Sequence, residues 1–289
     1  MSHIRIVHTT TYRYAEPVSF GMHRLVVRPR EGHDFQIESH HLSIEPEATV
    51  TWHRDLFGNS VAHACFAEGA DMLQFRNEVV AFKRDQDSYR HLLPVLPVIY
   101  PVMYSQPELP VAVAYMQPVF PNEAEILRGW VRSTLDPKPG VDAVQLAHDM
   151  CLWIHDNIAY RRREDRGVQS PVETLQLKSG SCRDMATLLL EGGRAAGFAT
   201  RFASGYLDSA ASAAGRAATH AWTEVYFPDH GWFGYDPTLG ENTSHKHITT
   251  GVCAHPRGVM PVSGTYSGPG GVYQGLTVAV EITQLSKPM

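Results

Sequence analysis

An α+β fold with an antiparallel sheet is predicted for this chain, preceded by a β-rich N-terminal domain. Three observations carry the prediction. Residues 1 to about 90 alternate apolar and polar positions in short runs broken by turn signals. Helical periodicity then fills the middle of the chain, between Asn122 and Gly197. Strand patterns return after Thr200 in hairpin order, so helices and strands are segregated rather than interleaved. The partition read from this pattern is a β-rich domain over 1–90, a proline-rich packed connector over 91–121, and a core over 122–289 that includes the C-terminal strands.

The elements follow in order. Ile4, Ile6 and His8 alternate against polar neighbours, and Ala48-Thr-Val-Thr-Trp is a short β-rich run. Asp55-Leu-Phe-Gly-Asn-Ser reads as a hairpin turn with Gly58-Asn59 at its tip. Pro94, Pro97, Pro101, Pro107, Pro110, Pro118 and Pro121 interrupt the connector, which argues against regular helix there, while its apolar content argues for a packed segment. Asn122 and Glu125 resemble a capping box for a helix with Ile126, Leu127, Trp130 and Val131 as its buried stripe. Asp142 caps a second helix whose Ala143, Leu146, Ala147, Met150, Cys151, Ile154 and Ile158 follow the 3.6 period. A third helix starts at Cys182 and stops at Gly197. Strands at 200–207, 220–227 and 231–236 follow, and Leu276, Val278, Val280 and Ile282 mark a last one.

Composition narrows the function classes. Hydrophobic residues make up 43% and charged residues 19%, a globular balance, and the net charge of −5 argues against a nucleic-acid or anionic-membrane partner. The start, Met1-Ser-His-Ile-Arg-Ile-Val, shows neither a charged n-region nor an apolar h-region, so a cytoplasmic protein is expected. Cys65, Cys151, Cys182 and Cys253 form no CxxC pair, so neither a disulfide framework nor a zinc knuckle is expected. Cys65 and Cys151 lie in apolar runs and read as buried small hydrophobes. His40-His41 and His245-Lys-His247 have no carboxylate or cysteine at ligand spacing, and no metal or cofactor is expected.

Cys182 differs from the other three. In Lys178-Ser-Gly-Ser-Cys-Arg-Asp-Met it opens a helix after a loop of small residues, where the N-terminal dipole and free N–H donors favour a thiolate and a substrate can approach. A cysteine nucleophile next needs a base, and the base an orienting acceptor. His220 opens the strand His220-Ala-Trp-Thr-Glu-Val-Tyr-Phe, and the following strand ends at Tyr235-Asp236 after the short turn Pro228-Asp-His-Gly231. The hairpin register sets Asp236 near the His220 end, so imidazole and carboxylate can meet. The backbone N–H of Cys182 is the natural first oxyanion donor, with Gln176 a candidate second. Asp184 is assigned a structural role; Arg201, Tyr206 and Glu224 lean to mutual satisfaction, and Trp222 and Tyr226 fit either cleft or core. Asp208–Thr219, with Arg216, reads equally as a lid or as a plain solvent loop.

Gly180-Ser-Cys-Arg-Asp184, Ser204-Gly-Tyr206, His220-Ala-Trp-Thr-Glu-Val225 and Tyr235-Asp-Pro-Thr238 together resemble the bacterial transglutaminase-like superfamily. Tyr12-Arg-Tyr, Arg28-Pro-Arg and Asp55-Leu-Phe-Gly-Asn are similar to the β-rich N-terminal domain found with it. The resemblance implies a papain-like core bearing a Cys-His-Asp triad, with Cys182 as nucleophile, His220 as base and acid, and Asp236 as orienter. Ser181, where many relatives carry a bulkier apolar residue, and Val252-Cys-Ala-His-Pro-Arg-Gly-Val depart from the pattern. The implied function is a cysteine-dependent hydrolase of amide bonds in a peptide or protein substrate. Acyl transfer to an amine and a non-catalytic binding or maturation module are the alternatives.

Overall fold

The computed structural model describes residues 2–84, 97–163, 167–215 and 217–286; the 90/91 boundary, Pro94 and Arg216 fall outside them. Strands β1 (Ser2–Phe20), β2 (His23–Leu25), β3 (Phe35–Glu45), β4 (Ala48–Arg54), β5 (Ser60–Phe66) and β6 (Ala70–Lys83) come first. Helices α1 (Leu109–Met116), α2 (Ala124–Leu135), α3 (Ala143–Asn157), α4 (Pro171–Leu177) and α5 (Cys182–Ala195) follow, with short parallel strands β7 (Ala159–Tyr160) and β8 (Ser179–Gly180) on either side of α4. Then come β9 (Thr200–Leu207), α6 (Ala210–Ala213), β10 (His220–Phe227), β11 (Gly231–Asp236), β12 (Glu241–Asn242) and β13 (His247–Cys253). The last elements are β14 (Val262–Ser263), β15 (Tyr266–Ser267) and β16 (Tyr273–Leu285).

The expected α+β core is present. Its antiparallel sheet runs β12-β11-β10-β9-β13, and α5 packs on one face through odd-numbered residues of β10. Thr223 Oγ1 donates to Ala186 O at 2.6 Å, and Ala221 packs with Ala186 and Leu190. On its other side α5 meets α2 and α3 in a cluster that includes Leu127, Val131, Met150, Ile154, Met185 and Leu189. A Cβ on Gly192 would come within 2.6 Å of the Trp130 ring and 2.9 Å of Met150 Sδ, so a glycine lets these helices close up.

The β-rich unit differs from the partition expected. β16 pairs along β1 from His3 opposite Leu285 to Tyr14 opposite Tyr273; β15 also pairs β1, and β14 pairs β2. The strands after Val262 therefore complete the N-terminal unit and do not belong to the core in which the sequence partition placed them. Alternation marks a strand and its buried face, but not its partner. β1, with Ile4, Ile6 and His8 buried, is covered on one edge by β6 and on the other by β16.

Other expectations also needed correction. The connector does hold a helix, α1, because Pro110 sits in its first turn, where a missing N–H is tolerated, and Pro118 falls beyond its end. α2 has no Asn122 cap; Pro121 begins a 3₁₀ turn, and Ile126 is exposed while Leu127 and Val131 are buried. Cys65 is exposed, since the period of two in β5 turns Ala62 and Ala64 inward and Cys65 outward.

The two units are joined by the β4–β5 hairpin. Asp55 accepts from the Phe57 and Asn59 N–H groups to shape the turn, and Gly58 takes φ +74°. Asn59, fully buried, then pairs its side-chain amide with the backbone of Val252: Nδ2 donates to Val252 O at 2.8 Å and Oδ1 accepts from Val252 N at 2.9 Å. β13 is an edge of the core sheet, and Asn59 occupies that edge as a neighbouring strand would. Asn59→Ala strands both groups in the interior. It is expected to destabilise the protein by about 2–3 kcal/mol, read as a lower urea midpoint.

Candidate active site

The loop before α5 is organised by one buried carboxylate. Asp184 accepts from Ser181 N at 2.8 Å, Ser181 Oγ at 2.7 Å, Gln169 N at 2.7 Å, and Arg163 Nη1 at 2.8 Å to each oxygen. Burial alone would raise this carboxyl, but the bonds from Arg163 and Ser181 outweigh it and hold the group below its ordinary range. The structural role expected for Asp184 is what it has. It clamps the chain at Ser181, leaving Cys182 as the first helical residue, half-buried.

The hairpin delivers the next two residues. Thr223 lies opposite Tyr235, which brings Asp236 level with the start of β10, and His220 Nε2 meets Asp236 Oδ2 at 2.6 Å. The Cys182 side chain acts on the same ring and favours its charged form. Burial works against a charged His220; the bonds with Asp236 and Cys182 overcome it and hold the pKa up at about 10. Asp236 is fully buried, which would raise its pKa, yet the two histidines bonded to it hold it well below the usual carboxylate range.

The second of those histidines, His247, has no signal in the sequence. Its Nε2 lies 3.0 Å from the same Oδ2, so the absence of a carboxylate partner expected for His245-Lys-His247 does not hold. Only the pairing of β13 with β9, His247 opposite Leu207, brings it there. Gly205 is part of that arrangement. It sits opposite His220, and a Cβ on it would lie 2.1 Å from Ile248 O, so the Ser204-Gly-Tyr206 motif is a place of close backbone approach.

The ligand atoms of His220, Asp236 and His247 lie within 4.8 Å of one another, a spacing that could hold a metal ion. The donor chemistry opposes it. His247 Nδ1 accepts from the Ser244 N–H at 3.2 Å, so the proton of the neutral ring is on Nε2 and no lone pair faces Asp236 there.

The remaining sequence candidates divide. Arg201 and Glu224 pair with each other, Nε to Oε2 at 2.7 Å, while Tyr206 donates to Val27 O at 2.9 Å and so ties β9 to the β-rich unit. Trp222 is buried, and Gln176 is exposed near the end of α4. The segment before His220 is anchored rather than loose: Lys83 binds Asp208 at 3.0 Å, Ser212 is buried in α6, and Ala217 bridges Val280 of β16.

Residues 4–81 match the bacterial transglutaminase-like N-terminal region, and residues 130–237 match the transglutaminase-like superfamily. Residues 130–237 thus form a transglutaminase-like superfamily core. Uncharacterized proteins of Mycobacterium bovis and Mycobacterium tuberculosis are each 26% identical to it over 274 residues, 90% of this chain and 86% of theirs. Another, from Mycobacterium leprae, is 31% identical over 161 residues, 54% of this chain and 48% of its own length. The fold is shared with the crystal structure of a candidate cysteine protease from Cytophaga hutchinsonii, at a TM-score of 0.74 and 16% identity, covering 100% of this chain and 92% of that one.

The ion pair gives a pH signature. His220, raised above its ordinary 6.5, contributes stability that is full below pH 6.5 and is lost as pH climbs toward about 10. Asp236, depressed below its ordinary 3.8, contributes stability that is full above pH 3.8 and is lost on further acidification. The stability gap between wild type and His220→Gln, from urea unfolding, is expected to be widest between these two values and to shrink steadily above pH 6.5.

Proposed function

We propose that this protein is a cysteine-dependent hydrolase of amide bonds, acting on a peptide or protein substrate through a thioester on Cys182. The observation that carries the reading is His220 bonded to the buried Asp236 carboxylate, with the half-buried Cys182 side chain acting on the same ring. In the first step the thiolate sulfur forms a bond to the amide carbon. The carbonyl oxygen takes the negative charge, facing the Cys182 N–H at the start of α5. The C–N bond then breaks while His220 passes its proton to the departing amine, leaving an acyl-enzyme. Water attacks the thioester next, giving its proton to His220 as the C–S bond breaks and the thiolate returns. Asp236 keeps its charge throughout, orienting the ring and stabilising the imidazolium.

The reading is tested by carbamidomethylation of the thiols with iodoacetamide, followed by peptide mass spectrometry. Cys182 is expected to react fast at neutral pH, with Cys151 and Cys253 protected by burial. His220→Ala should slow Cys182 by on the order of tenfold or more. Equal, slow reaction of Cys182 in both proteins would remove the hydrolase reading and favour a binding module. Given a reactive thiol, release of ammonia or a peptide amine without added nucleophile supports hydrolysis. Incorporation of a labelled amine in its place would mean acyl transfer.

A further inference from the structure

We propose that His247 is a positioning residue of this site: by donating its Nε2–H to Asp236 Oδ2 it fixes the carboxylate that holds His220 against Cys182. The inference rests on the thiol–imidazole reading above. Its geometry stands independently of it. One oxygen, Oδ2, receives both imidazoles, His220 at 2.6 Å and His247 at 3.0 Å. The other, Oδ1, accepts from the backbone N–H groups of Thr238 at 2.9 Å and Leu239 at 3.4 Å. An ionised carboxylate offers about four lone-pair directions, and on the fully buried Asp236 all are in use.

The two histidines are not equivalent. Ser244 N–H donates to His247 Nδ1, and a ring nitrogen that accepts such a bond carries no proton. The proton therefore lies on Nε2, aimed at Asp236. A further proton on Nδ1 would put two donors face to face at Ser244. His247 is almost completely buried, and the edge of Trp222 packs against it with centroids 5.2 Å apart. Its Nε2–H on Oδ2 shares the carboxylate charge with His220. It also ties the site to β13 and the Ser244 turn, elements outside the hairpin that supplies His220 and Asp236.

The test uses the full chain with His247→Leu and His247→Gln, whose terminal amide can still donate toward Oδ2. The readout is the pH profile of Cys182 carbamidomethylation, with thermal unfolding as a check on folding. His247→Leu is expected to react at least about tenfold more slowly at neutral pH, with His247→Gln recovering most of the wild-type rate. A folded His247→Leu that keeps the wild-type profile, while His220→Ala loses it, overturns the assignment and leaves the role of His220 standing. If His220→Ala also keeps the profile, the underlying reading falls with it. Should the Leu variant not fold, nitrogen NMR of ¹⁵N-histidine-labelled wild type decides. A neutral His247 protonated at Nε2 supports the proposal; a proton on Nδ1, or an imidazolium at neutral pH, overturns it.

Discussion

The Asp236 carboxylate is the constraint on which the rest of the site depends. A buried carboxylate costs several kcal/mol in lost hydration unless every acceptor direction is met by a donor. Meeting them recruits four separate pieces of chain: the start of β10, the turn after β11, the start of β13, and the Ser244 turn that sets the tautomer of His247. The turn is itself held from outside. Gly240 takes φ +68° and lies so close to the His155 ring of α3 that a Cβ there would be 2.8 Å from it, and Thr238 O meets His155 Nδ1 at 3.2 Å.

α5 repeats the strategy along its length. Asp184 fixes its first turn, and near its end Glu191 and Arg194 form a second buried pair at 3.0 Å. Glu191 accepts from the Val119 and Phe120 N–H groups, and Arg194 donates to Gln117 O, Thr200 O and Ala254 O. The helix that presents Cys182 is therefore pinned by polar hubs at both ends, with an apolar middle packed on α2, α3 and β10. Breaking either hub leaves a charge stranded in the interior, which is far more costly than trimming a methyl group. That asymmetry fixes the helix in one register against the sheet.

What could be read from the sequence divides along the range of the contacts. Cys182, His220 and Asp236 were legible because each belongs to a local pattern: a loop-to-helix switch, a period of two, and a short turn whose register follows from counting. His247 was not, because its place depends on β13 docking beside β9, for which 245–247 carries no periodic signal. The same limit hid the destination of the C-terminal strand. Val280 and Ile282 alternate legibly and are buried, but nothing local says that their partner is β1. Local rules misled where an exception applied. Prolines in the connector argued against a helix that uses Pro110 in its first turn, and an apolar-looking run concealed the outward face of Cys65.

The pairing of β1 with β16 changes how the β-rich unit relates to the chemistry. The core enters the chain after β6 and leaves it before β14, so the β-rich unit is completed only when strands from both sides of the core come together. Four of its contacts then reach the core: Asn59 on Val252 and Val27 on Tyr206 in the sheet, and Lys83 on Asp208 and Val280 on Ala217 in the connection between β9 and β10. The last two bracket the segment that leads into His220. Fastened at Asp208 and Ala217, that segment leads into His220 from two points held by the β-rich unit, which is thereby part of the frame of the core sheet.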